Sequence, residues 1–316
     1  MNPLKYSTFA PIALFLFRRP EHTRKMLDSL IANPEFLVSP LFIFCDAAKN
    51  ESDQRAVQET RVVASTLNHP NVTLVFQENN LGLAKSIRNG VSTLCKQFGR
   101  VIVVEDDLLV SSKFLNFMNA ALTHYMNEPK VMQISGYMFP LEMNSNTNAV
   151  LLPITSTWGW ATWERAWGGM CTDTLITSNL IKDSISRHDF DLQGSYPYTR
   201  RLHQQLAGKS DSWGILWYLH VFLSKGLVLY PPSTLVVNIG HDGTGTHCRD
   251  EERVSSPYNA PYVGDITFPI SSEMGALTFS DVKKHLRLKN SYFIRLYINF
   301  KSKFRGYIKK LVGRNE

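Results

Sequence analysis

Three carboxylates in a row close a hydrophobic run at Val101-Ile-Val-Val-Glu-Asp-Asp107 (VIVVEDD). Adjacent carboxylates repel one another, so their joint presence at a strand end calls for positive charge. A hard divalent cation fits, because Mg2+ or Mn2+ takes one or two carboxylates and completes its shell with substrate phosphates. An acidic turn after a strand is the competing reading, since short motifs also arise by chance. A second group, Asn238-Ile-Gly-His-Asp-Gly-Thr-Gly-Thr-His247 (NIGHDGTGTH), follows the strand-like Leu235–Val237. Glycines let successive backbone N–H groups form an anion-binding nest, which makes Gly243, Thr244 and Gly245 candidates for diphosphate contacts. His247 suits a metal ligand or a donor to diphosphate; a plain flexible loop is the alternative.

Three further stretches carry suitable side chains. Asn79-Asn-Leu-Gly-Leu-Ala-Lys-Ser86 precedes a helical pattern, and Asn80 and Gly82 stand where backbone can approach an anionic ligand at a helix start. Thr157-Trp-Gly-Trp-Ala-Thr-Trp163 (TWGWATW) offers rings that either line a sugar groove, with Trp158, Trp160 and Trp213 as its wall, or pack in the core. Lys209-Ser-Asp-Ser-Trp-Gly214 (KSDSWG) sets Asp211 ahead of a helix over Ile215–Lys225, where it or Ser212 could instead be an N-cap.

Elements that position these groups are legible in the first 135 residues. Apolar runs at Pro11–Phe17, Leu41–Cys45, Val72–Phe76 and Val101–Val104 predict strands. Between them, helical spacing predicts helices over Glu21–Ala32, Glu51–Leu67 and Leu81–Phe98. This alternation predicts an α/β fold with a mainly parallel sheet flanked by helices, whose ligands bind at the carboxyl ends of the strands. Arg18-Arg19, Asp46 and Glu105-Asp106-Asp107 all stand at such ends, as expected around a nucleotide-type ligand. Beyond residue 136 the alternation fades into a Trp-, Gly-, Pro- and Ser-rich stretch, read as the second half of the same domain.

Charge divides the chain. Residues 283–316 hold eleven basic side chains against one acidic, a charge of +10, whereas the first 282 residues hold 23 against 26, a charge of −3. The tail also carries Phe293, Tyr297, Phe300, Phe304, Tyr307 and Leu311 at intervals of three and four, the pattern of a basic amphipathic helix. Docking on the body and association of residues 290–312 with a membrane surface are its main readings; no nucleic-acid motif accompanies it. Four cysteines without metal-ligand spacing indicate a reducing compartment. No apolar run approaches a membrane span, so a cytoplasmic protein is expected, held at most peripherally at the inner face of the membrane by its tail.

The order of parts, Ile12-Ala-Leu-Phe-Leu-Phe-Arg-Arg-Pro-Glu-His22 (IALFLFRRPEH), then Asn80-Leu-Gly-Leu-Ala84 (NLGLA), then VIVVEDD, resembles A-type-fold glycosyltransferases of the bacterial family-2-like kind. The Glu-Asp-Asp form and the parts after it look like the N-acetylglucosaminyltransferase I branch. The resemblance spans roughly residues 10–250 and implies a transferase domain over 1–282. Residues 10–135 would be its nucleotide-sugar half and 136–282 its acceptor and catalytic half, ahead of the tail at 283–316. It implies that Asp107 binds Mn2+ or Mg2+, helped by His247, and that Asp106 meets the ribose or sugar. It further implies that Asp46 contacts the base or ribose, that Arg18 and Arg19 lie near the nucleotide, and that Asp211 is the catalytic base, with Glu164 second. The implied reaction moves a sugar from a nucleotide diphosphate donor, UDP-linked and with inversion, to a glycan or lipid-linked acceptor. Its implied setting is surface polysaccharide or lipopolysaccharide assembly. The rivals are a sugar nucleotidyltransferase, for which Phe17-Arg-Arg-Pro20 is the wrong first loop, and a non-catalytic nucleotide-sugar-binding, membrane-associated protein.

Overall fold

The computed structural model describes residues 9–141, 148–170, 182–240, 266–269 and 272–290. Four parallel strands lie side by side: β1 (Ile12–Leu16), β2 (Leu41–Cys45), β3 (Val72–Phe76) and β4 (Arg100–Glu105). All five residues of β1 are buried, as a central strand covered on both faces requires. The connecting helices are α1 (Pro20–Ile31), α2 (Glu51–Ser65) and α3 (Leu83–Phe98), close to the predicted spans. Helix α3 starts two residues later than expected, because the backbone of Leu81 and Gly82 is engaged elsewhere. It ends at Gly99, whose left-handed backbone (φ 79°) lets its N–H reach the Cys95 carbonyl at 2.7 Å.

The second half extends the same sheet. After the short β5 (Leu108–Val110) and α4 (Phe114–His124) come β6 (Val131–Ser135), β7 (Val150–Leu152), β8 (Trp160–Trp163) and β9 (Leu227–Tyr230). Among the described residues the order is β3-β2-β1-β4-β8-β6-β9-β7, with β8 and β7 antiparallel to their neighbours. The helices of this half are α5 (Glu164–Trp167), α6 (Ser184–Phe190), α7 (Tyr198–Leu206) and α8 (Trp213–Leu223). Strand β10 (Val236–Asn238) leaves the main sheet to pair antiparallel with β5. One apolar core lies under α1 and α4, the other under α3 and α8.

That second core corrects the sugar wall expected of the tryptophans. Trp160 is wholly buried and Trp213 nearly so, their rings stacked at 5.2 Å, with Trp167 and Trp217 packed around Trp160 at 5.6 and 6.1 Å. Apolar area, not ligand contact, places them there. Trp160→Ala is expected to cost about 3–5 kcal/mol in denaturant unfolding, the range for deleting a buried aromatic ring.

Helix α9 (Ala276–Asn290) crosses the expected division after residue 282. It buries Val282 and Leu286, while Lys283 Nζ donates to Gln193 Oε1 at 2.7 Å and Arg287 Nε to Ser195 Oγ at 3.0 Å. The basic segment thus begins inside a helix docked on the body. Residues 291–316, which include most of the amphipathic pattern, lie outside the described residues. Among the described residues no helix is long and apolar enough to cross a membrane.

Candidate active site at the carboxyl edge of the sheet

Strand β4 delivers its acids beside the end of β1. The ladder continues past both strands, with the Asp106 N–H donating to the Phe15 carbonyl at 3.1 Å. Asp106 Oδ2 accepts the N–H of Phe17 at 2.9 Å, so this side chain also ties down the turn that follows β1. In that turn Arg18 adopts φ 39°, a left-handed backbone uncommon for a non-glycine residue and a store of about 1–3 kcal/mol of strain. The two arginines diverge there. Arg18 Nη1 reaches Asp53 on α2 at 2.5 Å, whereas Arg19 turns inward. Arg19 Nη1 sits 2.9 Å from Asp107 Oδ2 and 3.5 Å from Asp106 Oδ1, with its side chain only 12% exposed. Two carboxylates therefore converge on one point of positive charge.

The other wall of this corner comes from β10. The Ile239 N–H donates to the Asp107 carbonyl at 2.7 Å, and His22 Nε2 on α1 lies 3.4 Å from the Ile239 carbonyl. Gly240 then passes so close that a Cβ there would lie 2.5 Å from Asp107 Oδ2. Only a residue without a side chain allows this approach. Gly243, Thr244, Gly245 and His247, the expected diphosphate and metal contacts of the same segment, lie outside the described residues.

Crowding of acids at this corner shifts their protonation. Burial, then Asp107, pushes Asp106 up to about 7 against the pull of Arg19 and of the Phe17 N–H. Burial, then Asp107 and Asp106, holds Glu105 well above the ordinary carboxylate range. A carboxyl whose folded value is raised loses its proton first in the unfolded chain. The metal-free protein should therefore lose stability as pH rises from about 4 to about 7. A divalent cation reverses that penalty by binding the deprotonated pair. The rise in melting temperature given by Mn2+ is accordingly expected to be larger at about pH 8 than at about pH 5.5; thermal melts at the two values check this.

The pair fits a hard cation. Its oxygens already converge on the Arg19 nitrogen, and Mg2+ or Mn2+ needs only one or two carboxylates when substrate phosphates and water supply the rest. Among the described residues no cluster of three or more His, Cys, Asp or Glu side chains could hold a metal by itself.

Asp46, at the end of β2, stands two strand spacings from Asp106, about 10 Å. Beside the expected contact with base or ribose, it has a part within the fold. Oδ1 accepts the N–H of Leu81 at 2.8 Å and of Ala47 at 2.9 Å, and Oδ2 accepts that of Gly82 at 2.9 Å. Asn80 Nδ2 answers by donating to the Ala47 carbonyl at 2.7 Å. Both residues thus clamp the loop that leads into α3. Gly82, at φ 76°, makes the turn that permits the clamp.

Asp211 comes to the same loop. Its Oδ2 would lie 3.7 Å from a Cβ on Gly82, and the residue is exposed. Ser212, not Asp211, occupies the N-cap of α8, and its side chain makes no capping bond. The segment is instead held by Gln205 Oε1, which accepts the Ser212 N–H at 2.5 Å and the Ser210 hydroxyl at 3.2 Å. Gln205 had no sequence signal of its own; only the fold brings α7 beside this turn. Asp211 is thereby presented to solvent without being used as a cap.

Glu164 is placed elsewhere, which removes it as rival base. Strand β8 runs antiparallel to β4, with Trp163 opposite Arg100, and the Glu164 N–H donates to the Gly99 carbonyl at 2.9 Å. Glu164 therefore sits at the amino edge, a full strand length, roughly 20 Å, from Asp106. Trp158, at the other end of β8, does remain on the site's edge, half-buried with its ring 4.8 Å from Tyr137.

No family model matches the chain, and no curated protein is similar enough to match. Distant likenesses occur among solved structures. The mannosyltransferase PcManGT from Pyrobaculum calidifontis, in complex with GDP-Man and Mn2+, is 14% identical over 69% of this chain and 70% of its own, with a TM-score of 0.37. Residues 1–349 of TarS from S. aureus are 13% identical over 71% of this chain, which spans 60% of that one, with a TM-score of 0.39.

Proposed function

We propose that the chain is a metal-dependent glycosyltransferase that moves a sugar from a nucleotide diphosphate donor to a hydroxyl of a glycan or lipid-linked acceptor. The observation that carries this reading is the convergence of Asp106 and Asp107 on one cation position at the open carboxyl edge. An uncommitted carboxylate, Asp211, stands beside Gly82 on the same edge. Asp107 and Asp106 would hold a divalent ion, which when bound would supply positive charge to the leaving diphosphate. Gly243, Thr244 and Gly245 as diphosphate contacts and His247 as a further metal ligand are part of this reading from the sequence; they lie outside the described residues. Asp46 and Asn80 act indirectly, by fixing the Gly82 turn against which the donor lies. Asp211 takes the proton of the attacking hydroxyl as the sugar passes through an oxocarbenium-like state. The donor is uridine-linked, the reaction inverts the anomeric centre, and the setting is surface polysaccharide or lipopolysaccharide assembly at the cytoplasmic face of the membrane, with residues 290–312 on its surface.

A thermal-shift panel of nucleoside diphosphates and nucleotide sugars, each with and without Mn2+, tests the reading. A donor at a hundred times its dissociation constant stabilises the folded state by about 2.7 kcal/mol, so one class should stand out, and only with metal present. Stabilisation by nucleoside triphosphates alone would favour a nucleotidyltransferase. Silence across the panel would remove the donor-binding reading altogether.

A further inference from the structure

The carboxylate pair is already partnered by a cation from the chain itself. Arg19 Nη1 touches Asp107 Oδ2 at 2.9 Å and stands 3.5 Å from Asp106 Oδ1, so the guanidinium occupies the point on which the oxygens converge. It does so from a constrained start. The left-handed turn at Arg18, with Arg18 drawn off to Asp53, leaves Arg19 as the last residue before α1, and Pro20 fixes the first turn of that helix. A divalent ion held by the same oxygens cannot share that point with a guanidinium, because two cations in one partly buried pocket repel.

We propose that Arg19 is the resident counter-ion of the carboxylate pair, that it competes with the divalent metal for Asp107, and that the metal releases it to the diphosphate of the donor. The inference rests on the metal-site reading above and adds an order to it. A largely buried guanidinium displaced from Asp107 has N–H groups to offer, and a diphosphate arriving with the metal can accept two of them from its planar fork. Metal and diphosphate are then coupled through one side chain. The metal displaces Arg19, and the displaced Arg19 favours the diphosphate. Without metal the pair stays neutralised and the site stays closed to other cations. Arg19 is thus a competitor of the ion for Asp107 and a binding residue for the leaving group.

The test begins with Mn2+ alone, read by the loss of its free electron-paramagnetic signal rather than by turnover. Arg19→Gln should bind Mn2+ roughly tenfold more tightly than the wild type, since a competitor holding the site nine-tenths of the time lowers apparent affinity by that factor. Equal or weaker binding by a folded Arg19→Gln protein overturns the competition while leaving the metal site in place. Asp107→Asn is the control that separates the two readings. If it binds Mn2+ like the wild type, the metal site itself is wrong and both readings fall. A second measurement needs no variant. Phenylglyoxal modification of wild-type Arg19, told from Arg18 by peptide fragmentation, should rise when Mn2+ is added and fall again when inorganic pyrophosphate joins it. A rate indifferent to Mn2+ overturns the release, and a rate that pyrophosphate does not lower overturns the transfer to the diphosphate.

Discussion

Asp107→Asn should lower sugar transfer by roughly 10³-fold, the loss expected when a main source of leaving-group stabilisation is removed from an otherwise intact site. The substitution keeps the shape of the side chain and removes its charge. Removing it takes the nearer counter-ion from Arg19 but relieves the crowding that holds Asp106 and Glu105 up, and Asp106 remains beside the guanidinium. Asp107 lies two residues beyond β4, and its backbone carbonyl, which accepts the Ile239 N–H, is untouched. The Gly240 approach is preserved because Asn is no larger than Asp. Whatever the metal-free melting temperature of the variant, its Mn2+-dependent rise should largely disappear. A metal titration of the initial rate separates weak loading from failed chemistry. If excess Mn2+ restores the wild-type rate, Asp107 contributes affinity only. If the rate stays low at saturation, its charge acts on the departing diphosphate. A variant that transfers sugar at the wild-type rate without added metal would show that the site does not use Asp107 at all.

Legibility in the sequence followed burial. Strands β1 and β4 are buried on both faces and β2 on one, so they appear as apolar runs; β3, at the edge of the sheet, is mostly exposed and was legible from its β-branched and aromatic residues, and helices α1 to α3 show one apolar stripe each. Of the strands of the second half only β10 was legible, in the strand-like Leu235–Val237. Trp160–Trp163 is four residues long, buried throughout, and inserted between β4 and β6 out of chain order. Neither alternation nor spacing distinguishes it from a loop. That same insertion decides Glu164, because only the antiparallel direction of β8 reveals that Glu164 lies at the amino edge.

Within the site, residue type was readable and partnership was not. Charged residues at three strand ends, acids at two and arginines at the third, signalled a charged ligand. What the sequence could not display is that Asp46 spends its oxygens on a loop 35 positions away, or that Arg19 folds back on acids 87 and 88 positions away. The tryptophans illustrate the same limit from the other side. A ring suits a sugar wall and a core equally well, and Trp160 is core because β8 runs through the middle of the sheet while Trp158, two residues earlier, remains at its edge.

Asp211→Asn should cost about 10²–10⁴ in turnover with donor affinity retained, the usual signature of a lost general base. Its exposed carboxylate stands next to the Gly82 turn, where no capping bond consumes it, so it is free to meet an acceptor hydroxyl. The metal-site acids are poorly suited to that task, because Asp107 is committed to a cation and Asp106 to the Phe17 N–H. Glu164 is excluded by its distance across the sheet. Because Asn matches Asp in shape and the turn is held by Gln205, the variant should melt with the wild type. Donor binding, followed by thermal shift with Mn2+, should be unchanged, and the slow hydrolysis of donor by water should fall together with transfer. A variant with wild-type turnover, or one whose loss appears entirely as weaker donor binding, would return Asp211 to a contact residue and leave the proton to a carboxylate or histidine of the segment 241–265.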